Sequence, residues 1–197
     1  MKSLIEIHKN NLESNLCEDI IKRFDQWYDD GKVNPGVTFS GYDPNIKDSY
    51  DLHISQFEEW EDIDSILYEA LTDKVTSYLE NVITKQCELS VDNIEDSGYQ
   101  IQRTTSEQNG YPVHNDGEII PHNNNFRVMT YLWYLNDVEG GGWTEFPDRC
   151  IIKPETGKLI LFPANWTYPH IGHPPKTGNK YIITGWVYSS IVGYDSI

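Results

Sequence analysis

Apolar side chains recur at helical spacing in two stretches of the N-terminal half. The first predicts a helix over Leu16–Asp29, where Asn15 and Glu18 have the spacing of a capping box. The second predicts a longer helix over Ile63–Ile83. Between them, Gly31–Tyr50 is rich in glycine and proline, which indicates a long loop or irregular strands. A loop of this length often forms a lid.

After about residue 90 the pattern changes to short apolar or alternating runs separated by turn residues. It predicts strands over Tyr99–Thr105, Tyr111–Asp116, Arg127–Leu135, Thr144–Pro147, Cys150–Lys153, Lys158–Pro163, His170–Ile171 and Lys180–Tyr188. Many short strands with regular turns are typical of a sandwich or barrel. We therefore expect one mainly β, α+β domain over residues 1–197, with supporting helices and the lid-like loop in residues 1–90 and a barrel in residues 91–197.

Net charge and cysteine content limit which binding partners and which cell compartment we expect. The chain has 197 residues, with 15 Lys and Arg against 31 Asp and Glu, so its net charge is −16. Such a surface argues against binding to nucleic acid or to an anionic membrane. The three cysteines form no CxxC pair, and the apolar run Leu4–Ile7 is too short for a signal peptide or a membrane span. These features predict a soluble cytoplasmic protein.

A candidate metal site combines two short motifs in the β-rich half. His114 and Asp116 are separated by one residue, so on a strand they point to the same side. His170 follows 54 positions after Asp116, far enough for the chain to return to the same barrel mouth. Two histidines and one carboxylate form the facial triad of non-haem Fe(II) oxygenases, which leaves coordination positions for co-substrate and O₂.

Two further residues bear on this site. His173 competes with His170 as the second histidine, since both flank Gly172. Lys180 shares one face of the last predicted strand with Ile182, by alternation. If that face lines the barrel interior, a buried lysine requires an anion, and a dicarboxylate bound to the metal would supply it.

The order of HxD, histidine and a basic residue about ten positions later resembles the Fe(II)- and 2-oxoglutarate-dependent dioxygenases, in particular the prolyl 4-hydroxylase-like branch. The resemblance covers about Tyr99–Tyr188 and includes Gly141-Gly142-Trp143-Thr144 and Leu161-Phe162-Pro163. It implies a double-stranded β-helix, that is, a jelly-roll or cupin-like barrel. It also favours His170 over His173, because His170 fits the family pattern His-x-Gly-x-Pro.

The resemblance implies a role for each residue of the site. The metal ligands and catalytic residues would be His114, Asp116 and His170; the 2-oxoglutarate-binding residues would be Lys180, Tyr134 and Thr144; and the residues near substrate would be Arg127 and Trp186. Strict alternation, however, puts Arg127 and Tyr134 on opposite faces of one strand. Both can serve the site only if Arg127 lies at the strand end or if a β-bulge intervenes.

The chain departs from the family at two places. Thr105 and Thr104 stand where the family often has a tyrosine, and Trp143 replaces the usual glutamate of the turn. The first departure bears on how 2-oxoglutarate is held, and the second bears on substrate.

The sequence thus predicts an enzyme that uses Fe(II), O₂ and 2-oxoglutarate to hydroxylate an unactivated C–H bond, with ascorbate as a candidate reductant. The resemblance indicates a prolyl residue of a peptide or protein as the substrate. Two alternatives stay open: an oxygenase that acts on a small molecule or another residue, and a cupin-like module that binds metal or sugar without catalysis. Lys180 argues against the second, because such a module needs no cation at this position.

Overall fold

Two antiparallel β-sheets and two helices make up the described part of the chain, which covers residues 3–38, 40–85, 94–117 and 125–190 of a computed structural model. Helix α1 spans Ser14–Asp29 and helix α2 spans Glu61–Tyr78, followed by a π-helical segment over Leu79–Thr84. The predicted capping box is wrong: α1 begins before Asn15, and its N-cap residue makes no side-chain capping hydrogen bond.

Twelve strands are found in the described residues. They are β1 (Glu6–His8), β2 (Asn34–Pro35), β3 (Tyr50–His53), β4 (Ile94–Asp96), β5 (Gln100–Thr105), β6 (Tyr111–His114), β7 (Asn125–Tyr134), β8 (Thr144–Phe146), β9 (Cys150–Ile152), β10 (Lys158–Pro163), β11 (His170–Gly172) and β12 (Asn179–Ser190). All eight predicted strands are present. Of the other four, β2 lies in Gly31–Tyr50, where irregular strands were one of two interpretations, and β1, β3 and β4 were not predicted. Strands β1, β2 and β3 lie in the N-terminal half.

The strands form a major and a minor sheet. The major sheet has the order β1-β10-β7-β12-β5-β3-β2, with β4 also paired to β12, and the minor sheet has the order β6-β11-β8-β9. This arrangement confirms the mainly β, double-stranded β-helix architecture expected from the sequence. Strands β1, β2 and β3 show that the N-terminal half adds to the major sheet as well as supporting it.

Alternation along the central strands of the major sheet separates two cores. On β7, Tyr131 and Trp133 pack on the side of the helices, whereas Leu132 and Tyr134 face the minor sheet. The helix-side core includes Phe24, Leu67, Ile101, Leu159 and Ile183, and the inter-sheet core includes Phe146, Ile160, Phe162, Tyr168 and Ile182. The inter-sheet space is the one that holds the site.

One β-bulge changes this alternation at the start of β7. The register with β12 runs from Val187 opposite Met129 to Tyr188 opposite Arg127, so Val128 is an extra residue. The bulge moves Arg127 to the same face as Tyr134. Both residues can therefore serve one site, as the sequence analysis required. No helix among the described residues has the length and apolar character needed to cross a membrane.

Candidate active site

Three potential metal ligands converge at one end of the minor sheet. His114 ends β6, His170 begins β11, and these two residues are paired directly across the sheet. Asp116 follows β6 by two residues, and its carboxylate lies 3.6 Å from His114 Nε2 and 3.8 Å from His170 Nε2. The three donor atoms lie within 4.8 Å of one another, so a single ion can contact all of them.

Backbone carbonyls orient both imidazole rings. His114 Nδ1 lies 2.7 Å from the carbonyl oxygen of Pro112, and His170 Nδ1 lies 3.2 Å from that of Tyr168. Because a carbonyl oxygen only accepts, Nδ1 carries a proton in both rings, and Nε2 is the nitrogen that faces the cluster. Burial, reinforced by His170, lowers the pKa of His114 to about 4, so this ring is neutral at pH 7.

Asp116 is held as a carboxylate by its neighbours. Burial alone would raise its pKa, but the two histidines and the Thr130 hydroxyl keep the pKa below its usual value. Thr130 Oγ1 donates to Asp116 Oδ2 over 2.7 Å, and Arg127 Nη1 donates to the Asp116 carbonyl over 3.1 Å. Two imidazoles and one carboxylate, oriented by such contacts, are a donor set that suits Fe(II).

A cavity of about 800 Å³ lies between the sheets next to the triad. Lys180 lines its buried part, is 4 % exposed, and donates from Nζ to the His173 carbonyl over 2.8 Å. In the described part of the chain, no carboxylate lies within ion-pair distance of Lys180. Burial therefore lowers the pKa of Lys180 to about 8, and a bound anion would compensate its charge.

Thr144 and Tyr134 occupy different depths. Thr144 lines the cavity, and so does Thr104, which stands opposite Lys180 in the β5–β12 ladder. Tyr134 is fully buried and donates to Thr144 Oγ1 over 2.6 Å. Tyr134 does not line the cavity, so it reaches the site through Thr144 and not by direct contact.

Arg127 and Trp186 lie together at the cavity wall. The Arg127 guanidinium stands 3.7 Å from the centre of the Trp186 ring, and its Nε donates to the Tyr188 hydroxyl over 3.1 Å. With the contact to the Asp116 carbonyl, Arg127 links the wall to the triad. The planar guanidinium suits stacking and hydrogen bonding at once, which a lysine would not.

His173 is excluded from the cluster by its own partner. Its Nε2 lies 2.7 Å from Glu145 Oε2, and its ring packs against Trp143. His170, not His173, therefore joins His114 and Asp116.

Sequence reasoning missed two groups around the cavity. Thr130 could have been found, because alternation from Leu132 and Tyr134 places it on the same face. Lys47 and Asp51, which are both buried, could not, because a lysine four residues before an aspartate is too common a spacing to indicate a site.

Comparison with known proteins agrees with this geometry. Residues 99–188 match the model of the 2OG-Fe(II) oxygenase superfamily. A protein of Acanthamoeba polyphaga mimivirus, provisionally named a prolyl 4-hydroxylase, is 28 % identical over 195 residues, which cover 90 % of this chain and 71 % of that protein.

Two solved structures have the same fold. The 2-oxoglutarate complex of a viral collagen prolyl hydroxylase from Paramecium bursaria Chlorella virus-1 has a TM-score of 0.67 at 23 % identity, covering 95 % of this chain and 97 % of the other. A Trichoplax adhaerens prolyl hydroxylase, bound to a hypoxia-inducible-factor peptide, has a TM-score of 0.69 at 20 % identity, covering 96 % and 84 %. The family match over residues 99–188, the shared fold and the His–Asp–His cluster lead to one conclusion: the chain resembles the 2OG-Fe(II) oxygenase superfamily in sequence over those residues and in fold.

Proposed function

We propose that this protein is a prolyl 4-hydroxylase that acts on a proline in a peptide or protein. The observation that carries the proposal is that one cavity holds the candidate metal-ligand triad and a buried lysine with no carboxylate partner among the described residues. The chain is also similar to proteins named as prolyl hydroxylases. The small-molecule alternative and the cupin-like alternative are not favoured by these relatives.

Each residue has a proposed task in this reaction. His114, Asp116 and His170 would hold Fe(II), which, with 2-oxoglutarate and O₂, supplies hydroxylation of an unactivated C–H bond and release of succinate and CO₂. Lys180 would bind the far carboxylate of 2-oxoglutarate by a charge-assisted hydrogen bond. Thr144 would lie beside the co-substrate, and Tyr134 would support Thr144 from behind.

Local charge is needed for this binding because the chain as a whole repels the co-substrate. A net charge of −16 disfavours the approach of a dianion at long range. Lys180, in the buried part of the cavity, supplies the attraction over a short distance, where Coulomb interactions are strongest. The same acidic surface favours a neutral or basic peptide over an acidic one.

The cavity mouth is suited to an extended apolar segment. Val37, Ile46 and Val113 line the cavity and are nonetheless 55 %, 43 % and 61 % exposed. Prolines in an extended peptide present apolar rings at regular intervals, and this rim offers matching apolar contacts. Arg127 and Trp186, inside the rim, would position the target residue.

The test measures succinate release with Fe(II), 2-oxoglutarate and a panel of peptides that contain or lack proline. The proposal predicts turnover that requires proline and a mass gain of one oxygen on that residue. Asp116→Ala, which removes the carboxylate ligand, should abolish turnover, while His173→Ala should not. Hydroxylation of small molecules, with no turnover of the peptides, would contradict the assignment of a prolyl substrate but not the assignment of an oxygenase.

Three finer features complete the proposal. Ascorbate would serve as a reductant that keeps the iron ferrous. The protein would act in the cytoplasm, where a small and odd number of cysteines is typical. Residues 1–197 would act as one domain, with the loop over Gly31–Tyr50 covering the barrel mouth and the β-rich half holding the site.

A further inference from the structure

A buried ion pair borders the same cavity, away from the metal triad. Lys47 Nζ lies 2.6 Å from Asp51 Oδ2, and each residue is 6 % exposed. Lys47 belongs to residues 40–49, which we call the strap, whereas Asp51 lies in β3 of the major sheet. A buried pair often contributes little net stability, because both charges lose their hydration. Stability alone is therefore a poor explanation for this one.

The Asp51 carboxylate is fully engaged by groups from two directions. Ser49, at the end of the strap, donates to Oδ1 over 2.7 Å. Gln100 on β5 donates to Oδ2 over 3.2 Å, on the same oxygen that Lys47 contacts. The pair thus ties the strap to β3 and β5, the strands that form this side of the barrel.

A second attachment lies next to the first in sequence. The Asp48 backbone N–H donates to the Gly110 carbonyl over 2.9 Å, and its carboxylate accepts from the Asn109 backbone N–H over 3.0 Å. Lys47 and Asp48 therefore fix neighbouring positions of the strap to different parts of the barrel. Ile46, the residue before them, is held at the cavity mouth with 43 % of its surface exposed.

We propose that Lys47 and Asp51 are positioning residues that hold the strap at the mouth and thereby set the affinity for the peptide. The inference rests on the proposed function and deepens it. The strap residues face the open end of the cavity, whereas Lys180 is at its buried end. Loss of the pair should therefore weaken peptide binding and leave 2-oxoglutarate binding unchanged.

The test is a double-mutant cycle of Lys47→Met and Asp51→Asn. Each single variant should raise the KM for a proline-containing peptide by about tenfold, with kcat within about twofold of wild type. The double variant should be no worse than either single variant, because the two residues act as one unit. The stabilisation of each protein by 2-oxoglutarate with Mn(II) should match wild type. Lys47→Arg, which keeps the positive charge, should have a KM for the peptide close to that of wild type.

A matched control removes an exposed pair instead. Lys22 lies 3.7 Å from Asp19, and their side chains are 74 % and 72 % exposed. Lys22→Met should leave the KM for the peptide unchanged. An unchanged KM in Lys47→Met, or additive effects in the double variant, would overturn the proposal. The double variant leaves no unpaired buried charge, so it can be compared with wild type even if a single variant fails to fold.

Hydrogen exchange separates this inference from the proposed function. The backbone N–H groups of Ile46 and Lys47 both donate to the Asp43 carbonyl within the strap. Their exchange should be faster in the double variant, whereas exchange in the β5–β12 ladder should not change. If the wild type hydroxylates no peptide, the proposed function fails and the exchange rates still decide the role of the pair. Unchanged exchange in the strap would refute it.

Discussion

Thr130 Oγ1 donates a hydrogen bond of 2.7 Å to Asp116 Oδ2, which fixes the carboxylate that faces both histidines. Contacts of this kind orient a metal ligand, and their loss typically costs about 10–100-fold in metal affinity. We expect Thr130→Val, which keeps the shape of the side chain, to raise the dissociation constant for Fe(II) by that factor. Anaerobic titration with Mn(II) or Fe(II) measures it.

The matched variant for this experiment is Thr130→Ser. It keeps the hydroxyl and should retain metal affinity close to wild type. Equal metal affinity in Thr130→Val and wild type would show that the hydroxyl does not support Asp116.

The charge of Lys180 should make 2-oxoglutarate binding depend on pH. Burial lowers the pKa of Lys180 to about 8, so the ammonium that attracts the carboxylate is lost as the pH rises through that value. The dissociation constant of 2-oxoglutarate should be flat from pH 6 to about 7.5 and then rise by up to about tenfold per pH unit. Calorimetry with Mn(II) in place of iron measures this profile.

Two variants separate charge from shape at this position. Lys180→Met should weaken 2-oxoglutarate binding by about 2–5 kcal/mol, because the carboxylate then has no cationic partner in the buried part of the cavity. Lys180→Arg stays charged at every pH in the range, so its profile should be flat. A flat profile in the wild type would contradict the assignment of Lys180.

The two histidines that flank Gly172 should differ sharply in metal binding. His170→Gln removes a nitrogen donor of the cluster, whereas His173 bonds to Glu145 and faces away from it. We expect His170→Gln to lose the bound metal and His173→Gln to keep one equivalent, measured by metal analysis after gel filtration. Loss of metal in His173→Gln alone would reverse the ligand assignment.

Thr144 and Tyr134 should contribute unequally to co-substrate binding. Thr144 lines the cavity, and Tyr134 donates to it from behind. Thr144→Val should raise the 2-oxoglutarate dissociation constant more than Tyr134→Phe, since the first change removes a hydroxyl from the cavity wall and the second removes its support. A larger effect of Tyr134→Phe, in the same calorimetric measurement, would indicate direct contact by the phenol.

The long alternating strands were predictable because their side chains are sorted by face. The inward residues of β12 lie at Lys180 and Ile182, and the helix-facing ones at Tyr181 and Ile183, as a period of two requires. Strands β1 and β4 have three residues each, too few to establish a period. They form because a neighbouring strand offers free hydrogen-bonding groups, which is a tertiary effect.

Arg127 and Tyr134 show what alternation cannot supply. No glycine or proline marks the bulge at Val128, so the sequence left open whether Arg127 shares the face of the site. The sequence placed Tyr134 on the correct face of its strand. A pattern along one strand cannot show, however, that Thr144 of another strand lies between the phenol and the cavity. Depth depends on the packing of both sheets.

The direct pairing of His114 with His170 has a consequence for the energetics of metal uptake. Because the two ligands are neighbours in one ladder, the backbone hydrogen bonds that build β6 and β11 also set the spacing of the imidazoles. The conformational entropy of bringing them together is lost during folding, before any ion arrives. Metal binding then has little left to order in β6 and β11, so more of the free energy of coordination is retained as affinity.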